Sequence, residues 1–149
     1  MTMLDWTGLR KIPNILWAAP YSSLGLTIGL LSMLRGGSGR FRDCALEFYG
    51  GPTAWLVRHL PTGPSTLAIT LGHVILGQSA AGLEACGRHE RVHVAQFERW
   101  GLLMGPAYLL ASLAQWCRGR DAYWDNPFEI EAYRAAPIST DASAVTPPA

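Results

Sequence analysis

The run His89-Glu90-Arg91-Val92-His93 constrains this chain more than any other stretch. In a helix, residues four apart lie one turn apart on one face, so the imidazoles of His89 and His93 can converge on a single metal ion. Glu90 stands beside them, placed to take a proton from a water that such an ion activates. A fold that uses this pattern has two obligations. It keeps the surrounding segment helical, and it brings a third donor from elsewhere, because two histidines alone rarely hold an ion. The plainer reading of the same five residues is a surface helix with two partly exposed histidines among charged neighbours.

Local signals favour the helix. Ser79 is a natural cap, and the helical pattern then runs to about Trp100. His89, His93, Gln96 and Trp100 share one face, so Gln96 is either an ordinary polar residue or a donor behind a metal ligand. Gly87 weakens the helix, which implies close approach by another element, with the segment carrying His73 as the candidate.

For the third donor the chain offers Glu129, Glu131, Asp121, Asp125 and His73. Asn126-Pro127 reads as a helix start, with asparagine as cap and proline at the first position. On the helix that follows, Glu129, Ala132 and Ala136 fall on one narrow face whose small residues permit close approach to another helix. Glu131 is rotated away from that face, and Asp121 and Asp125 lie in the turn before it. His73, on an expected strand, suits a cleft wall beside the metal helix or a local hydrogen bond. Glu129 is the best candidate, although a carboxylate in a first helical turn is stabilising without any metal.

With 149 residues the chain has room for one domain with a real core. Its net charge of +1 argues against a nucleic-acid binder. Charged residues make up only 15% against 49% apolar, so much of the surface is expected to meet a partner or lipid. Residues 15–34 carry no charge and approach the length of a membrane-crossing helix, with Trp17 and Tyr21 near one end. The alternative is a buried core helix broken near Pro20. Read as a membrane segment, it is followed by Arg35, Arg40 and Arg42 and preceded by Arg10 and Lys11, which slightly favours a cytoplasmic His89–His93 domain.

A second uncharged stretch, residues 101–117, is short for a crossing and reads as a helix packed against the first. Residues 36–39 read as a flexible turn. Residues 45–49 and 66–76 read as strands, with 53–60 either strand or helical turn between them, which predicts a small antiparallel sheet. Cys44, Cys86 and Cys117 lack paired spacing and read as small buried residues. The expected fold class is α+β: an N-terminal hydrophobic helix, the sheet, and the His89–His93 helix packed with others. The expected division is a membrane segment over 1–35, a metal-binding domain over 36–136 and a disordered tail over 137–149.

His89-Glu90-Arg91-Val92-His93 together with Asn126-Pro127-Phe128-Glu129-Ile130-Glu131-Ala132 resembles the gluzincin-like zinc metallopeptidases, in which a downstream glutamate is the third protein ligand. The likeness is to their membrane-associated branch, from which Tyr133 departs where an aspartate is usual; a small family sharing only this helix fits equally well. The resemblance covers about residues 72–136. It implies zinc held by His89, His93 and Glu129, Glu90 as general base and proton shuttle, and a peptide or protein substrate, with lipid as a further partner. Tyr123, Tyr133 and His73 are conceivable second electrophiles. The competing function is a non-enzymatic membrane-associated scaffold or assembly protein with a structural or vestigial metal site. A haem module is disfavoured, since histidines one turn apart point the same way and cannot take opposite axial positions.

Overall fold

Helix α1 (Ile12–Met33) runs through Pro20 and contains most of the uncharged stretch. The computed structural model describes residues 12–138, with side chains from Leu16 onward. The lead-in before residue 12 and the tail from residue 139 lie outside the described residues. Strand β1 (Ser38–Arg42) turns through Asp43 and Cys44 into β2 (Ala45–Tyr49). Helix α2 (Gly51–Arg58) then carries the chain to β3 (Ala68–Leu71), which turns at Gly72 and His73 into β4 (Val74–Gly77). Helix α3 (Ala80–Trp100), a 3-10 turn (Gly101–Leu103), α4 (Met104–Cys117) and α5 (Pro127–Ala135) complete the order.

The four strands form one sheet in the order β1-β2-β4-β3. The expected antiparallel sheet is corrected here. β1 pairs antiparallel with β2, and β3 with β4, but β2 and β4 run parallel, Leu46 opposite Val74 and Phe48 opposite Leu76. A parallel join needs a crossover, and the segment holding α2 supplies it. β1 begins inside residues 36–39, expected to form a flexible turn, and 66–76 is two strands and a turn. As befits a strand covered on both faces, β4 is buried throughout.

Alternation along the strands sorts the core. Phe48, Val57, Val74 and Leu76 meet α1 and α2 on one face, with Leu26 and Ile28 packed against them. Ala45, Ala68 and Ile75 meet Leu83, Cys86 and Val94 of α3 on the other. A third cluster, Ala18, Phe97 and Met104, joins α1, α3 and α4.

The membrane-segment expectation, and with it the cytoplasmic placement of the domain, is overturned: among the described residues no helix is long and apolar enough to cross a membrane. Small and polar residues dilute the leucines of α1, and they have packing tasks. Ser22 Oγ accepts the His73 backbone N–H, and Ser32 Oγ accepts that of Thr53. A Cβ at Gly29 would sit inside the Phe48 ring. Tyr21 and Trp17, which suited a membrane interface, make contacts within the domain instead, although Trp17 stays 47% exposed. Tyr21 packs on Phe97 and donates to the Leu102 carbonyl, and Trp17 lies against Gly101, whose φ of 54° and absent side chain both suit the junction. Arg40 and Arg42, taken as flanking charges, pair with Glu47 and Glu84. Of the cysteines only Cys86 is buried; Cys44 and Cys117 are exposed.

Candidate metal centre

Two capped helices build the site. Ser79 starts α3 by accepting the Gly82 N–H at 3.0 Å, which fixes the phase that turns His89, His93 and Gln96 inward. Asn126 starts α5 by accepting the Phe128 N–H. Its Nδ2 also donates to the Tyr108 carbonyl and to Ser112 Oγ, tying the start of α5 to α4. Glu129, three residues on, then faces α3, and fully buried Ala132 follows on the same side.

His89, His93 and Glu129 come together as a buried group that can hold a metal ion. The two Nε2 atoms are 3.2 Å apart, His89 Nε2 lies 3.3 Å from Glu129 Oε2, and His93 Nε2 lies 3.5 Å from Glu129 Oε1. Donors about 2.0–2.1 Å from a tetrahedrally bound ion stand about 3.3 Å from one another, a spacing that the Nε2 pair and the His89 Nε2–Glu129 Oε2 pair match, while the contact to His93 is made by the other Glu129 oxygen. Glu129 Oε2 is buried without a hydrogen-bond partner, a costly arrangement for a carboxylate oxygen unless a cation meets it.

The surrounding polar groups support this orientation. Gln96, fully buried, accepts from His93 Nδ1 at 2.8 Å, which turns Nε2 toward the triad. Its own NH2 donates to the Phe128 carbonyl and to Glu131 Oε2, and Arg99 donates to Glu131 Oε1. His89 is held differently, by packing against the Tyr133 ring at 4.4 Å. Tyr108 donates to Glu129 Oε1 at 2.7 Å.

The electrostatics follow. Burial opposes ionisation of Glu129, but the close His89 and His93 rings and the Tyr108 hydrogen bond together outweigh it and hold the carboxyl well below the usual carboxylate range. Burial would likewise push His93 toward its neutral form, yet the Glu129 contact and the charge of Glu90 raise its pKa above that of an ordinary histidine. The group therefore holds a negative charge that favours a cation. A proton on His93 supplies it in the metal-free chain, and a metal would displace that proton. Burial raises the pKa of Tyr108, Tyr123 and Tyr133, which keeps all three as hydroxyl donors at neutral pH.

Glu90, also buried, points to the sheet side of α3, where Thr70 Oγ1 donates to its Oε2 at 2.7 Å. The other third-donor candidates are elsewhere. Glu131 pairs with Gln96 and Arg99. Asp121 accepts the N–H groups of Tyr123 and Trp124, and Asp125 accepts that of Asp121, so both shape the turn. His73 lies in the β3–β4 turn and not on a strand, with Nε2 3.1 Å from Glu98 Oε1, clamping that turn to the far end of α3. The neighbour at Gly87 is also corrected: a Cβ there would meet the Arg91 guanidinium, with Glu47 of β2 next nearest.

Sequence reasoning missed Tyr108, Thr70 and the clamp made by Asn126 Nδ2. Tyr108 did leave a signal as the one tyrosine in the uncharged 101–117 stretch, where a buried hydroxyl needs a partner. Compared with protein-family models, curated proteins and solved structures, the chain matches none.

Proposed function

We propose that the chain is a small zinc-dependent metallopeptidase of the gluzincin-like kind, with His89, His93 and Glu129 as metal ligands and Glu90 as general base. The observation that carries the reading is the buried convergence of one donor atom each from His89, His93 and Glu129, all within 4.8 Å of one another. Three protein donors suit a catalytic ion with one position left for substrate or water, where zinc would supply a Lewis acid that polarises a carbonyl and lowers the pKa of water. Glu90, next to His89 in the chain, would turn from its Thr70 contact on the sheet side of α3 toward the ion and take the proton of the attacking water as the new C–O bond forms. It then returns that proton to the amine nitrogen as the C–N bond breaks. Gln96 fixes the His93 tautomer throughout.

A second reading has its own support. His89 and Glu129 are only 2% and 3% exposed, as in a closed structural metal site of a non-enzymatic scaffold. Three measurements separate the readings. Wild-type protein should bind close to one zinc per chain, and His93→Ala should weaken binding about a thousandfold or more, since a protein zinc site is worth roughly 10–16 kcal/mol across its ligands. Glu90→Gln should keep the zinc and slow hydrolysis of an unfolded protein substrate by about 10²–10⁴-fold. Zinc-loaded wild type that cleaves no such substrate, and unfolds when zinc is chelated, would favour the structural site.

A further inference from the structure

The two oxygens of the Glu129 carboxylate are not equivalent. Oε1 receives the Tyr108 hydroxyl at 2.7 Å and lies 3.5 Å from His93 Nε2, whereas Oε2 is buried with no hydrogen-bond partner and lies nearer a histidine, 3.3 Å from His89 Nε2. We infer that Tyr108 is a positioning residue that reserves Oε1, so that Glu129 meets the ion through Oε2 alone. This rests on the triad being a metal centre and adds which atom binds and what holds it.

The hydroxyl comes from α4, an element that carries no proposed ligand. Tyr108 is anchored there independently of its hydroxyl. Its ring stacks on Phe128 with centroids 6.0 Å apart, and its carbonyl accepts from Asn126, the cap of the helix bearing Glu129. One residue therefore fixes the start of α5 through its backbone and the Glu129 carboxylate through its side chain. A carboxylate free to offer both oxygens can clasp an ion side-on and raise its coordination number; an oxygen already committed to a short hydrogen bond resists this. The consequence is an ion with three protein donors and a true open position, the condition for hydrolytic chemistry.

Tyr108→Phe removes the hydroxyl and keeps the ring. Equilibrium titration with Co(II) and Zn(II) against a competing chelator should show affinity lowered about 10–100-fold. The Co(II) visible spectrum should pass from the intense bands of a four-coordinate site toward the weak bands of higher coordination. Weaker binding with an unchanged spectrum would reduce Tyr108 to a general stabiliser and overturn the inference, as would unchanged affinity. A second measurement needs no Tyr108 variant. The infrared difference spectrum of wild type with and without Zn(II), its carboxylate bands assigned by their loss in Glu129→Gln, should show the wide splitting of a one-oxygen ligand. A narrow, side-on splitting would overturn the inference while leaving the metal centre standing. Wild type that binds neither ion would instead remove the metal centre itself.

Discussion

Helices α1 and α3 are nearly equal in length and opposite in character, and burial in them runs against hydropathy. From Leu16 to Met33, α1 carries no charge, yet Leu16, Leu24, Leu30 and Leu31 are all more than half exposed. It buries its small residues, Ala18, Gly25, Gly29 and Ser32, against the sheet and its neighbours. α3 is rich in charge, yet His89, Glu90, His93 and Gln96 are buried. The difference lies in partners. A polar side chain goes inside when other polar groups meet it there, as Gln96 meets His93 and Thr70 meets Glu90, and a leucine stays outside when closer backbone approach fills the interface first. Low charge in a helix is thus no measure of how deeply it sits, and a charged pentapeptide can bury three of its five side chains.

The largest effect on this contrast should come from the sheet side of α3. Glu47 of β2 is fully buried between Arg40 Nε at 2.6 Å and Arg91 Nη2 at 2.7 Å, and Arg91 stands inside the His89–His93 pattern. Glu47→Ala leaves two guanidinium groups without their inner partner and should destabilise the metal-free protein by about 3–5 kcal/mol in urea unfolding. A loss under about 1 kcal/mol would mean that water or Asp43, 3.2 Å from Arg91 Nε, replaces Glu47, and that polar burial on this side is looser than its distances suggest.

The sheet side of α1 should respond to size instead. In an exposed helix, Gly→Ala gains roughly 1 kcal/mol. At Gly29 the added methyl would overlap the Phe48 ring, so the sign should reverse, with a net loss of about 1–3 kcal/mol by the same measurement. Gly29→Ala paired with Phe48→Leu, which makes room, should recover part of that loss. A stabilised single variant would show that α1 rides higher on the sheet and that its glycines are incidental.

These two helices also show what was legible beforehand. The ends of α3 and α5 were readable because Ser79 and Asn126-Pro127 act on their own next few residues. Glu129 was readable because helical phase is a local property. Strand β1 was missed because Ser38–Arg42 is an exposed edge strand with no apolar alternation to mark it. The parallel pairing of β2 with β4 depends on a crossover of some two dozen residues, which no local pattern encodes. Tyr108 and Thr70 were missed for a related reason. Each acts on a residue 20 or 21 positions away, and only docking of α4 on α5, or of β3 on α3, brings donor to acceptor. The membrane reading of residues 15–34 failed because it weighed charge and overlooked the serines and glycines that let a helix lie close on a sheet.

The smallest expected effect is the sharpest test of that last point. Leu31 is 58% exposed on α1. Glutamine has nearly the helix propensity of leucine, so Leu31→Gln changes the apolar surface and little else. If the side chain meets only solvent in the folded domain, the change should alter unfolding free energy by less than about 0.5 kcal/mol. Burying a leucine is worth roughly 1.5–3 kcal/mol, so a covered side chain would announce itself clearly. Measuring the urea midpoint at several protein concentrations separates the sources of such a loss. A loss that grows with concentration would come from association between copies, and one that does not would come from cover within a single copy. With either loss, the exposed leucines of α1 would cease to be exposed, and the contrast with α3 would shrink to a difference in which partner covers each helix.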